Sequence, residues 1–145
     1  MAKSLGYYTY TGVQTVDAGN VLPLTNTIRQ YGNCIRLRNN SVALVSACGC
    51  NGSTVDRAQG YYTVSVNATL TASAAGAATV SLYQDGVLVP GAVQTATAAA
   101  ENDMLNFSFT VPVRVYCGQS LSNLQIYVNS QNVNTMNVGM YVIKE

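Results

Sequence analysis

The chain has 145 residues, of which 48% are hydrophobic and 9% charged, and a formal net charge of +1. This length fits a single domain with a sizeable core, and the hydrophobic content excludes a disordered chain. The near-neutral charge carries no electrostatic signature of a nucleic-acid or membrane partner. No segment approaches the roughly 20 apolar residues of a membrane-spanning helix, and residues 1–6 lack the apolar core of a signal peptide.

Period-two alternation of apolar and polar residues predicts β-strands along almost the whole chain. The alternation is clearest from Tyr62 to Leu70 and from Leu105 to Val115, and each pattern is typical of a half-buried strand. Pro112 cannot donate to a ladder, so its strand is expected at an edge or a bulge. We expect about ten strands, over residues 7–16, 20–28, 34–38, 41–46, 60–72, 78–84, 87–98, 103–116, 121–129 and 133–144.

Short turns between these segments favour antiparallel hairpins. Asn39-Asn40 and Asp85-Gly86 each separate two apolar runs, and these residue types tolerate the positive φ angles of two-residue hairpin turns. Many short strands at this spacing predict one all-β domain of sandwich or jelly-roll type. The longest irregular stretch, residues 47–59, is the best candidate for a functional loop.

The last predicted strand is apolar on both faces. One face carries Met136, Val138, Met140 and Val142, and the opposite face carries Val133, Tyr141 and Ile143, with the small Gly139 between them. A strand with one face in water should not carry apolar residues on both. We therefore expect another copy of the chain to cover the second face. The alternative is a short exposed apolar stretch, which is ordinary on protein surfaces.

The residue types needed for catalysis are scarce. The chain has no histidine and only six carboxylates, which argues against nucleophilic triads and general-base chemistry. Glu101 and Asp103, with Asn102, could bind Ca²⁺ or act as a carboxylate pair, but a solvated loop tip is the favoured interpretation. We expect no enzyme activity and no cofactor.

Four cysteines leave three alternatives open. Cys34, Cys48, Cys50 and Cys117 could form disulfides or a four-thiolate metal site, since Cys48 and Cys50 flank one glycine. Free thiols are the favoured interpretation, because small buried cysteines are common and the domain is large enough to fold without crosslinks. We therefore expect no metal.

Four motifs in order resemble a known family. They are G-x-C-I-x-L at 32–37, G-Y-Y-T-V at 60–64, L-Y-x-D-G-x-x-V-P-G-A at 82–92, and V-I-K at 142–144. This series resembles the tumour necrosis factor-like jelly roll of bacterial collagen-like exosporium glycoproteins and of phage structural proteins. The resemblance covers roughly residues 20–145, and the third motif is its most specific part. The collagen-like Gly-X-Y stem is absent here, which favours the phage proteins.

The resemblance implies an antiparallel jelly roll of about ten strands that forms a homotrimer. It also implies a virion location, as a capsid decoration, head-fibre or fibre-tip module that contacts the major capsid protein or another virion protein. We expect Val133, Gly139, Tyr141 and Ile143 to form the oligomer interface. We expect residues 13–145 to form the domain and residues 1–12 to form a docking arm anchored by Tyr7, Tyr8 and Tyr10. The alternative function is binding of a host surface glycan or protein.

Overall fold

A computed structural model describes residues 4–45, 60–115 and 121–144. The described residues contain eleven β-strands and no helix, and no helix long and apolar enough to cross a membrane is found among them. The strands are β1 (Leu5–Thr11), β2 (Thr15–Val16), β3 (Asn26–Tyr31), β4 (Ile35–Arg38), β5 (Ser41–Val45), β6 (Tyr61–Ala72), β7 (Gly76–Gln84), β8 (Val87–Ala98), β9 (Met104–Arg114), β10 (Leu121–Asn129) and β11 (Val133–Lys144).

The strands form two antiparallel sheets packed face to face, which confirms the all-β sandwich. Sheet A has the order β3-β1-β11-β6-β9, with β2 also pairing with β11, and sheet B has the order β4-β5-β10-β7-β8. Pro112 lies in β9, an edge strand of sheet A, as its missing donor predicts. The predicted strand over 20–28 is wrong for most of its length, since β3 begins at Asn26 and only an isolated bridge joins Val21 to Tyr127.

Both predicted hairpin turns are present. Asn39 and Asn40 have φ angles of 38° and 65°, and Asp85 and Gly86 have φ angles of 53° and 82°. Positive φ at both central residues gives the turn the twist that antiparallel neighbours require. The first turn joins β4 to β5 and the second joins β7 to β8, so the local sequence sets both registers.

The core lies between the sheets and follows the predicted alternation. In β6 every second side chain from Tyr62 to Ala72 is buried, and in β9 Leu105, Phe107, Val111 and Val113 face the same interior. Tyr62 donates a hydrogen bond from its hydroxyl to the carbonyl oxygen of Val45 at 2.7 Å. Burial of so many aliphatic side chains, each worth about 1.5–3 kcal/mol, is the main stabilising contribution.

The N-terminal segment is part of the sandwich, so the predicted docking arm is wrong for residues 5–11. These residues form β1, which pairs with β3 on one side and with β11 on the other. The Tyr8 side chain is fully buried and donates a hydrogen bond to Gln30 Oε1 at 2.6 Å, and Tyr10 packs against the core. The Tyr8 ring is therefore not available to anchor the chain to another protein, and Tyr10 is half-buried against the core.

The beginning of β11 faces the opposite way from the prediction. Val133 is fully buried and Met136 is exposed, because a β-bulge between Thr135 and Asn137 shifts the register with β6. A bulge adds one residue to its strand and so exchanges the two faces beyond it. Val133 therefore belongs to the core rather than to the outer face, and its predicted role at an interface is wrong.

Cys34 is buried in the core and is disulfide-bonded. The expectation of free thiols is therefore wrong for this residue. The other three cysteines, and the predicted functional loop over residues 47–59, lie outside the described residues.

Candidate functional site

None of the eleven strands contains an aspartate or a glutamate. Their only charged residues are Arg29, Arg36, Arg38, Arg114 and the buried Lys144. The outer faces of the sheets are therefore covered mainly by threonine, serine, asparagine and aromatic side chains. Like-charge repulsion between copies of such a surface is weak, and little charge has to be desolvated when two of them meet.

An apolar cluster, here called the aromatic face, lies at one end of the outer surface of sheet A. It spans three adjacent strands, because β1 pairs with both β3 and β11. Leu5 of β1 lies between Tyr31 and Ile143, and one row further along Tyr7 lies beside Tyr141. The aromatic face consists of Leu5, Tyr7, Tyr31, Tyr141 and Ile143.

Two of the three aromatic rings of this face are exposed to solvent in the single chain, and the third, Tyr7, is half-buried. Tyr141 is 37% exposed and Tyr31 is 63% exposed. The Tyr7 and Tyr141 rings meet edge to face, with centroids 6.4 Å apart and planes at 75°, a favourable arrangement for two rings. Leu5, Tyr7, Tyr141 and Arg29 line a shallow, mostly apolar hollow of about 510 Å³.

The middle of the outer surface of sheet A, on β6 and β9, is polar but uncharged. Side-chain hydrogen bonds cross between its strands, for example from Thr69 Oγ1 to Asn106 Oδ1 at 3.0 Å and between the Ser65 and Thr110 hydroxyls at 3.0 Å. Gly139 lies among them, and a Cβ atom at this position would come within 2.8 Å of Asn67 Oδ1. This part of the surface is therefore flat, with its polar groups largely satisfied within the chain.

The two edges of sheet A differ in their exposure. At the β9 edge, the Ser108 backbone N–H donates to Gln94 Oε1 of the neighbouring sheet at 2.7 Å. All six residues of β3 are exposed, and Arg29 is the only charged residue among them. Open edges usually carry charges that prevent pairing with another chain. The β3 edge, next to the aromatic face, is therefore the less protected of the two.

The structure brings together part of the predicted interface. Gly139, Tyr141 and Ile143 lie on the outer side of sheet A, as predicted, whereas Val133 lies in the core. Tyr7, which was assigned to a docking arm, lies beside Tyr141 instead. Sequence reasoning missed Leu5 and Tyr31. The alternation of Leu5, Tyr7 and Thr9 was a usable signal for a strand face, but the partner of that strand is more than 130 residues away.

No metal-binding cluster of three or more His, Cys, Asp or Glu side chains occurs in the described parts of the chain. The predicted acidic pair is a turn, because Asp103 Oδ2 accepts hydrogen bonds from the backbone N–H groups of Ala99 and Ala100 at 2.9 and 3.0 Å. Asn102 adopts a positive φ of 67° in the same turn. Asp103 therefore stabilises the entrance to β9, which agrees with the loop-tip interpretation.

Comparison with solved structures identifies the fold. The chain is similar to murine APRIL, with a TM-score of 0.63 at 8% identity and 99% of each chain covered. It is similar to the globular domain of the zebrafish complement 1qA protein, with a TM-score of 0.62 at 6% identity, covering 97% of this chain and 94% of that one. It is also similar to the PRD1 vertex protein P5, with a TM-score of 0.50 at 9% identity, covering 97% and 96%.

These similarities define the class of fold as the jelly roll of tumour necrosis factor and C1q proteins. At such low identity they show the fold alone. No protein-family model matches the sequence, and a search of curated protein sequences finds no match.

Proposed function

We propose that this protein is a structural component of a phage virion that acts by assembly and has no enzyme activity. In this proposal it is a homotrimeric capsid decoration, head-fibre or fibre-tip module that contacts the major capsid protein or another virion protein. The observation that carries the proposal is the aromatic face of sheet A. The family resemblance of the sequence, which implies a homotrimer, and the fold shared with the PRD1 vertex protein support it.

The aromatic face suits a contact between copies of the chain. Tyrosine is enriched at protein interfaces because it supplies a large apolar area and a hydroxyl that remains hydrated at the rim. The polar surface beside the aromatic face has its hydrogen bonds satisfied across the strands, so little desolvation penalty opposes its burial. Closed rotational symmetry is the usual outcome when a folded domain buries such a surface against itself.

Light scattering coupled to size-exclusion chromatography tests the assembly. The expected mass is three times the 15.3 kDa of one chain at micromolar concentration. Tyr141→Asp places an unpaired charge in the interface, which is expected to weaken association by at least about 100-fold and to give the monomer mass. The matched control is Val93→Asp, which alters an apolar residue of sheet B with a similar exposure of 44%. A monomeric wild-type protein would contradict the proposal.

The virion location needs a separate experiment. Antibodies against the purified protein are expected to label particles at regular sites in electron micrographs, and the protein should remain with particles through density-gradient purification. The Tyr141→Asp chain, expressed in place of the wild type, should be lost from the particles. Purified particles that lack the protein would refute the virion assignment while leaving the oligomer itself untouched.

A further inference from the structure

A trough runs along β5 on the outer face of sheet B. The outward side chains of β5 are small, since Ser41 and Ala43 form its floor, and the neighbouring strands carry longer ones. Ala43 lies directly between Arg36 of β4 and Asn123 of β10 in the register of the sheet. A hollow of about 540 Å³ occupies one end of the trough, and a second hollow of about 300 Å³ occupies the other. Both volumes are within or near the range of sites that hold small ligands.

Two guanidinium groups form one wall of the trough. Arg36 and Arg38 lie two residues apart on β4, so both project to the outer side with a spacing of about 6.8 Å. Both are exposed, and neither forms an ion pair with another residue in the described ranges. Asp85, the nearest carboxylate along the lining, accepts hydrogen bonds from Ser122 Oγ at 2.7 Å and from the Asn123 N–H at 2.8 Å. The described residues of the trough therefore carry two positive charges against one negative charge, and the negative one is already hydrogen-bonded within the chain.

Amide groups form much of the remaining lining, and two tyrosine rings lie near Gln125 on the same face of sheet B. The side chains of Asn39, Asn123 and Gln125 line the larger hollow, and each amide offers both donors and acceptors to a hydroxyl-rich ligand. Gln125 pairs with Tyr83 on the next strand and accepts a hydrogen bond from the Tyr127 hydroxyl at 3.3 Å, and the Tyr83 and Tyr127 rings lie 4.5 Å apart. Half-buried tyrosine rings of this kind can pack against the C–H face of a sugar ring.

From this arrangement we infer that the trough of sheet B binds an acidic saccharide, with Arg36 and Arg38 pairing with a sugar carboxylate. A guanidinium matches a carboxylate in a planar, two-point geometry. Among the described residues, the charged groups of the trough are Arg36, Arg38 and the hydrogen-bonded carboxylate of Asp85, and the rest of the lining is uncharged, so the ligand is mostly uncharged with one or two anionic groups. This composition fits an acidic sugar chain better than a polyanion such as a nucleic acid or a polyphosphate, which needs a longer row of cations.

The site does not depend on the proposed assembly. The trough lies on sheet B, whereas the aromatic face lies on the outer side of sheet A. A trimer formed through sheet A leaves three troughs facing solvent, and their combined avidity would strengthen binding to a surface that carries many copies of the sugar.

A glycan array of neutral, carboxylate-bearing, sulfated and phosphorylated saccharides tests the assignment. The wild-type protein is expected to bind carboxylate-bearing saccharides and to ignore their neutral counterparts. Titration calorimetry with the best array ligand then measures the affinity per chain, which removes avidity from the comparison. Arg36→Gln and Arg38→Gln are each expected to weaken binding about tenfold, and the double variant about 100-fold.

Arg29→Gln is the matched control, because it removes an exposed arginine from a strand of sheet A and leaves the trough unchanged. Its affinity per chain should equal that of the wild type. Gln125→Leu keeps the size of the wall and removes the amide, so it should weaken binding several-fold while the fold persists. The inference is overturned if no carboxylate-bearing saccharide binds, if only sulfated or phosphorylated ones bind, or if the double variant binds as well as the control.

Tyr141→Asp separates this inference from the proposed function. The variant should keep the wild-type affinity per chain in calorimetry while losing avidity on the array. Loss of affinity per chain in this variant would place the saccharide at an interface between copies and would refute the trough of a single chain as the site.

Discussion

The outer faces of the two sheets differ in shape more than in charge. On sheet A, large side chains in adjacent strands lie side by side, so that Tyr31, Leu5 and Ile143 form one continuous row. On sheet B, small Ser41 and Ala43 separate long side chains, and the face is concave. Each face carries two arginines and no carboxylate from its strands. The size of the side chains in neighbouring strands therefore decides whether a face suits another protein surface or a small ligand.

The largest loss of stability is expected when a charge is placed on the inner side of β11 rather than on its outer side. Val138 is fully buried, whereas its neighbour Asn137 is exposed on the outer side. Val138→Asp leaves an unpaired charge in the core, so we expect a loss of several kcal/mol, enough to unfold the domain. Far-UV circular dichroism and thermal melting measure the effect. Asn137→Asp is the control and should melt within a few degrees of the wild type; equal melting of the two variants would refute the assignment of faces.

Alkaline pH should act on sheet A, because both fully buried tyrosines among the described residues belong to it. Burial raises the pKa of Tyr8 to about 12, against a smaller lowering effect of the nearby Arg36 charge, and burial raises the pKa of Tyr62 to about 12. The unfolded chain loses these protons near pH 10, so the stabilisation is complete below pH 10 and is lost as the pH rises towards 12.

Chemical denaturation between pH 8 and pH 12 measures this dependence. The free energy of unfolding should be constant up to about pH 9 and then fall. In the Tyr62→Phe variant the fall should be shallower, because one of the two groups no longer titrates. A free energy of unfolding that stays constant to pH 12 would show that these rings are not buried.

Two neighbouring tyrosines of β1 give a smaller contrast between the inner and outer sides of sheet A. Tyr8→Phe removes the hydrogen bond to Gln30 and leaves a partly buried acceptor, so a loss of about 1 kcal/mol is expected. Tyr7→Phe alters only the outer side and should stay within about 0.5 kcal/mol. Urea denaturation measures both variants. A larger loss for Tyr7→Phe would mean that the register of β1 is shifted by one residue.

A small effect on stability, together with an effect on assembly, is expected at Gly139. An added methyl group meets only the amide end of Asn67, which can rotate away, so Gly139→Ala should change the free energy of unfolding by less than about 1 kcal/mol. The same methyl group would protrude from the outer surface of sheet A into the interface. The trimer should therefore dissociate at a several-fold higher protein concentration than the wild type does. Light scattering over a dilution series measures this change. An unaltered trimer would place Gly139 outside the interface.

Local sequence was sufficient to predict much of the fold. The alternation in β6 and β9 identified the buried residues, because each pattern depends only on the period of a strand. Asn39-Asn40 and Asp85-Gly86 identified two hairpins, because their positive φ angles are a property of those residue types. The edge position of Pro112 followed from its missing N–H group.

The errors arose where long-range pairing determines the structure. The bulge at Met136 depends on the register between β11 and β6, and it moved Val133 into the core. Tyr8 was assigned to an exposed arm because its burial depends on the pairing of β1 with β11, which lies at the other end of the chain. The trough was not predicted either, because its second wall comes from β10, more than 75 residues beyond the β4-β5 hairpin that supplies Arg36, Arg38 and the floor.

A crystal or cryo-electron microscopy structure of the assembled protein would show which surface of the domain joins the copies. We expect three copies around one axis, with the exposed fraction of Tyr141 falling from 37% to almost zero against a neighbouring copy. Copies that contact each other through sheet B, with the rings of Tyr7 and Tyr141 left in solvent, would contradict this expectation.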